Sequence, residues 1–214
     1  MQNAPTTGLS GRRGQARRND VRILEAAREV FVADAAAPVS AVASRANVGI
    51  SALYRRYPSK EDLLRQLARD GLQRYIAEAE AALVDDGDAW DAFAAFMYRI
   101  LDAEVHAITI NLAGTFAPTA DLIAASARAA DLNRELVART KRSGGLRPDI
   151  DVDDLSLILE QVSAIRLDGE RRTRALRHRY LALFLAGLRV TSPPLPGPAP
   201  RPAELAARWV PKPR

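Results

Sequence analysis

The chain contains no cysteine, which excludes disulfides, thiolate metal sites and a thiol nucleophile. Histidine is nearly as scarce: His106 and His178 are the only two and stand far apart, so no metal site is expected. No glycine-rich loop follows a strand-like segment, and Ser143-Gly144-Gly145 closes a helical pattern instead, which argues against a phosphate-cradling loop. Carboxylates are plentiful, but no spacing places two of them in one cleft. Neither a cofactor nor enzymatic activity is expected. No apolar run approaches the roughly twenty residues that a membrane span needs. The opening residues, MQNAPTTGLSGRR, lack the continuous apolar centre of a secretory signal. These absences point to a soluble, cytoplasmic protein that binds and does not catalyse.

Strand-like alternation is missing as well, and apolar residues recur at helical spacing almost throughout. They make up 48% of 214 residues, enough to bury a core in one or two domains. Charge is unevenly placed. Residues 1–60 hold ten Lys and Arg against four acids, an excess of six, whereas the remainder holds 21 basic and 22 acidic residues. A positive excess confined to one end is the footprint of a polyanion partner.

That end contains the stretch around which the chain is organised, Val39 to Asp62. Val42, Ala43 and Ala46 give a short helix a small apolar face, with Ser40 as its cap. Asn47-Val48-Gly49 is a tight turn. Ile50 to Tyr57 forms a second short helix, with Ile50, Leu53 and Tyr54 at the spacing that buries one side. Pro58 stops it, because the residue before a proline is pushed out of the helical region. Ser59-Lys60-Glu61-Asp62 opens the next helix. Two short helices around a sharp turn, the second rich in Arg and Tyr, form a helix-turn-helix for a DNA major groove.

The run ANVGISALYRRYPSKEDLL resembles the recognition segment of TetR-type transcriptional regulators, and ILEAAREVF (Ile23 to Phe31) resembles that family's first helix. The resemblance implies an all-α protein of about nine helices: an N-terminal helix-turn-helix three-helix DNA-binding domain, then a helical ligand-binding and dimerisation domain. The divisions are 1–18, a flexible basic arm; 19–66, the DNA-binding domain; 67–190, the effector-binding and dimerisation domain; and 191–214, a Pro-rich tail with eight prolines. The link after the first helix, DAAAPV, departs from the family in lacking a glycine turn. Gly49 stands where Ser or Thr usually caps the recognition helix.

Chemistry and resemblance together assign the DNA contacts. Ser51, Ala52, Arg55 and Arg56 lie on the outer face of the recognition helix, and an Arg fork can bond guanine O6 and N7 together. The family's equivalents of Tyr54, Tyr57 and Lys60 touch the DNA backbone. Ser40, and Arg17 and Arg18 in the arm, complete the set.

Lys60 to about Val84 reads as one long helix, which in the family bridges the two domains, and Asp88 caps the next. Beyond it the resemblance places an apolar effector among Trp90, Phe93, Phe96, Met97, His106, Asn111, Thr115 and Phe116. The last two long helices open at Asp153 or Asp154 and at about Arg171. In the family they pair with their copies in a second subunit. Leu155, Leu159, Val162, Leu176, Tyr180, Leu183, Phe184 and Gly187 are the interface candidates, and Leu176, Tyr180, Leu183, Phe184 and Leu188 are expected to face inward. The reading is a dimeric repressor on a palindromic double-stranded DNA operator, released by a small apolar molecule. The alternative is a DNA-binding dimer without an effector, architectural or constitutive in action.

Overall fold

The structure is a computed structural model that describes residues 7–105, 114–189 and 193–206, with side chains from Arg18 onward. Among the described residues there are nine α-helices and no strand: α1 (Thr7–Ala33), α2 (Val39–Ala46), α3 (Ile50–Arg56), α4 (Lys60–Leu83), α5 (Ala89–Asp102), α6 (Ala120–Arg142), α7 (Val152–Ser163), α8 (Glu170–Leu188) and α9 (Pro202–Ala206). No described helix is long and apolar enough to cross a membrane. The chain divides into two compact units, 1–67 and 68–214, and the boundary falls within α4.

In the first unit, α1 begins twelve residues before Asn19, where the sequence placed it. The helix extends toward the N-terminus because lengthening an established helix is far easier than nucleating one. The glycine missing after α1 is replaced by an aspartate. Asp34 Oδ1 accepts the amide of Ala36 at 2.8 Å, and the Asp34 carbonyl accepts that of Ala37 at 3.1 Å. Ser40 lies inside α2 and does not cap it. Pro38 is the residue before the helix, and no side chain caps it.

α2 ends in a Schellman motif. Val48 N–H donates to Ala43 O at 3.0 Å and Asn47 N–H to Ser44 O at 3.1 Å, with Asn47 left-handed at φ 51°. The core of this unit buries Ile23, Ala27, Phe31, Val42, Ala46, Leu53, Tyr57, Leu63 and Leu67. Ser59 Oγ accepts the Asp62 amide at 3.0 Å and opens α4, as its sequence indicates.

In the second unit one apolar cluster joins Ala79 and Ala82 of α4, Trp90 to Leu101 of α5, Leu132 and Leu136 of α6, Leu155 to Val162 of α7, and Leu181 to Leu188 of α8. Asp88 caps α5 by accepting the Asp91 amide at 3.0 Å. Asp151, two residues ahead of the expected start, caps α7 in a reciprocal box with Asp154. Between α6 and α7, Gly144 is left-handed at φ 75°, and a Cβ on Gly145 would stand 2.9 Å from Trp90 Cβ. Only glycine permits that approach.

Leu188 faces inward as expected, but the rest of the inward face of α8 is one residue out of register with the expected one. Arg177, Leu181, Leu185 and Leu188 are buried, whereas Tyr180, Leu183 and Phe184 are exposed and Leu176 is half-buried. Arg177 sets this register by donating to the carbonyls of Ser163, the last residue of α7, at 3.0 Å and of Ile165, just past it, at 3.1 Å, and to Glu104 Oε1 at 2.8 Å. A guanidinium that satisfies three acceptors tolerates burial that an unpaired one would not.

Candidate nucleic-acid interface

The turn at Asn47 aims α3, and its residues, together with Tyr57 just past its end, divide by face. Leu53 and Tyr57, four apart, close into the first unit, at 0% and 4% exposure. Ile50, Ser51, Tyr54, Arg55 and Arg56 are exposed and Ala52 is half-buried. Burying Tyr54 and Ile50 was the sequence expectation. The structure buries Tyr57 instead, because Pro58 turns the Tyr57 backbone extended (φ −126°, ψ 94°) and lays its ring back against the helix pair.

The assigned contacts therefore fall into two groups. Ser40, Ser51, Tyr54 and Arg55 are exposed, and Arg55 makes no hydrogen bond or ion pair with any described residue. Tyr57 and Lys60 are engaged within the fold. Tyr57 donates its hydroxyl to Asp20 Oδ1 at 3.3 Å. Lys60 Nζ lies 5.0 Å from the centroid of the Phe31 ring and donates to two backbone carbonyls. Arg18 is exposed on α1, and the Arg17 side chain lies outside the described residues.

Arg56 stands between the groups. Its Nε meets Asp20 Oδ1 at 2.7 Å and Oδ2 at 2.8 Å, and Nη2 meets Oδ2 at 2.6 Å. The side-chain hydrogen bonds to Asp20 raise the Arg56 pKa above its ordinary value. A groove of about 180 Å³ runs beside it, lined by Asn19, Asp20, Ile23, Val48, Ala52, Arg55 and Arg56. Asp20 is not among the site residues that the sequence singles out. Its spacing of thirty-six residues from Arg56 carries no local pattern that would have paired them.

The other candidates lie in the second unit. Trp90, Phe93, Phe96 and Met97 are packed into its core, and Tyr75 of α4 meets the Phe96 ring edge-on at 5.4 Å between centroids. Phe116 is buried and Thr115 exposed; His106 and Asn111 lie outside the described residues. Of the interface candidates, Leu155, Leu159 and Val162 belong to the core of this unit, and Tyr180, Leu183, Phe184 and Gly187 form an exposed strip on α8. Among the described residues, no group of His, Asp and Glu is arranged to hold a metal ion.

Comparison with known proteins agrees with this geometry at both ends of the chain. Residues 23–67 match the family described as bacterial regulatory proteins, tetR family. Residues 85–190 match the C-terminal domain of SbtR-like transcriptional regulators. No curated protein matches. Solved structures do, among them a TetR regulatory protein from Mycobacterium vanbaalenii, 27% identical over 83% of this chain and 99% of that one, with a TM-score of 0.55. LfrR from Mycobacterium smegmatis, in complex with proflavine, is 22% identical over 82% and 99%, with a TM-score of 0.62. The ketosteroid regulator KstR2 of Mycobacterium tuberculosis is 20% identical over 82% and 96%, with a TM-score of 0.57. The last two, at this identity, show a shared fold.

Proposed function

The chain belongs to the tetR family of bacterial regulatory proteins and is a DNA-binding transcriptional regulator, and on that premise we propose that it is a homodimeric repressor released from its operator by a small molecule. Two copies present two α3 helices to half-sites about one DNA turn apart, which makes the operator a palindrome. The observation that carries this reading is the division of α3, with Leu53 and Tyr57 closed inward and Ser51, Tyr54 and Arg55 left outward. The strip of Tyr180, Leu183, Phe184 and Gly187 on α8 supports pairing with a second copy, since contiguous exposed apolar surface marks an interface.

For the effector, support comes from the aromatic cluster at Trp90, Phe93 and Phe96 and from the proflavine complex of LfrR. An apolar molecule among these rings would press on Tyr75 and so on α4, whose first two turns belong to the DNA-binding unit. The shift that follows equals the ligand's preference for one state over the other. Such a protein acts on DNA in the cytoplasm and has no catalytic role.

Selection of duplexes from random oligonucleotides tests the DNA half of this reading: a palindrome is expected, and no enrichment would overturn it. A thermal-shift ligand screen then tests the switch, through operator affinity with and without each stabilising molecule. Effectors should weaken binding at least tenfold. A second reading, a constitutive DNA-binding dimer, draws on the closed packing of Phe93, Phe96 and Met97, each fully buried. Stabilising molecules that never change DNA affinity would favour it.

A further inference from the structure

We propose that Asp20 is a positioning residue for base recognition, holding Arg56 side-on so that the free end of its guanidinium reads a guanine. This rests on the regulator reading above. The geometry assigns the two edges of the guanidinium to different tasks. Asp20 takes the edge formed by Nε and Nη2, at 2.6 to 2.8 Å. Of the five N–H groups in the fork, three remain, and they lie at the end formed by Nη1 and Nη2. That end is the one able to bond guanine O6 and N7 together. The Arg56 side chain is 58% exposed while that of Asp20 is 25% exposed, so the anchor is sheltered and the reader is open.

Two further contacts fix the arrangement. Tyr57 donates its hydroxyl to the same Asp20 oxygen at 3.3 Å, and the Arg56 guanidinium carbon lies 5.3 Å from the centre of the Tyr57 ring. Arginine is rich in rotamers, and a side chain already held in place loses less of that freedom on binding. Arg55 shows the contrast: exposed and without a described partner, it suits a phosphate contact, which needs charge and little orientation.

Charge argues the same way. The first sixty residues hold only four acids, and one of them stands beside the reading helix. An aspartate there repels phosphate and lowers non-specific affinity. Orienting the neighbouring arginine turns that loss into discrimination.

The experiment compares the full-length protein with D20A, D20E, R56A and R56K by selection from random duplexes, alongside thermal melting. The wild type should show a preferred guanine in each half-site. D20A and R56A should lose about tenfold in preference at that same position, as removal of a two-pronged Arg–guanine contact does. D20A should also bind non-specific DNA more tightly. R56K and D20E keep the ion pair and hence the fold, yet remove or displace the fork, so they should lose the preference with little change in melting temperature. They carry the test even if D20A fails to fold.

The assignment is overturned if D20E and R56K select the wild-type sequence undiminished, because the pair is then only a staple between α1 and α3. It is equally overturned if R56A changes the motif while D20A and D20E do not. If the wild type enriches no sequence, the regulator reading fails and takes this assignment with it.

Discussion

The Lys60 ammonium donates to the carbonyl of Ala37, 2.8 Å away, and its second bond, at 3.0 Å, is to Ala35. One side chain at the start of α4 thus satisfies the loop that joins α1 to α2. Lys60→Met keeps the stem over Phe31 and removes both bonds. It should destabilise the first unit by about 1–3 kcal/mol in chemical denaturation, the range for carbonyls left unsatisfied. The salt dependence of DNA binding should stay the same. A fall in the salt slope by about one would instead make Lys60 a phosphate contact.

Arg55 invites the opposite experiment, since nothing in the fold depends on it. Arg55→Ala should leave stability within about 0.5 kcal/mol, as exposed substitutions do, while weakening operator and non-specific binding alike and lowering the salt slope by about one, as loss of a phosphate contact does. Fluorescence anisotropy on the selected operator, paired with a melting curve, separates the two effects. A large loss of stability with unchanged affinity would remove Arg55 from the interface.

What the sequence disclosed was local. Asn47 at the turn, Pro58 after α3 and Ser59 ahead of α4 each act within a few residues, so their chemistry could be read directly. What it concealed was tertiary. Resemblance assigns Tyr57 and Lys60 to the DNA backbone, and the bonds they make within the fold, to Asp20 and to the carbonyls of Ala35 and Ala37, depend on packing that no local pattern shows. The register of α8 was concealed for another reason. Tyr180, Leu183 and Phe184 make as good an apolar stripe as Leu181, Leu185 and Leu188, and periodicity cannot rank adjacent stripes. The deciding residue, Arg177, argues by its charge for the surface, yet it is buried because the α7 end supplies carbonyl acceptors.

The exposed stripe leads to a prediction about assembly. Leu183 is 60% exposed and outside the core. Leu183→Glu should therefore preserve helicity and folding, convert a dimer to a monomer in analytical ultracentrifugation, and weaken palindrome binding far more than half-site binding. Leu181→Glu, at a fully buried position, should unfold the second unit instead. A dimer that survives Leu183→Glu would place the contact elsewhere.

The last prediction concerns acid. Arg147 Nε and Nη2 grip the Asp149 carboxylate at 2.6 and 2.9 Å, and Leu195 donates its amide to the same group at 2.8 Å. Arg147 also donates to Gly187 O at 3.3 Å and Pro193 O at 2.6 Å, so this pair ties the Pro-rich tail to the end of α8. The hydrogen bonds from Arg147, then that from Leu195, pull the Asp149 pKa down to about 2. An unfolded chain has the ordinary value of about 3.9. Because the folded value is the lower, the carboxylate stabilises the fold fully above the unfolded pKa, and loses that contribution as pH falls from about 4 toward 2. Asp149→Asn lacks it at every pH. Melting temperatures of wild type and variant should differ at pH 6 and converge as pH approaches 2. Equal melting temperatures at pH 6 would mean that the carboxylate does not hold the tail in solution.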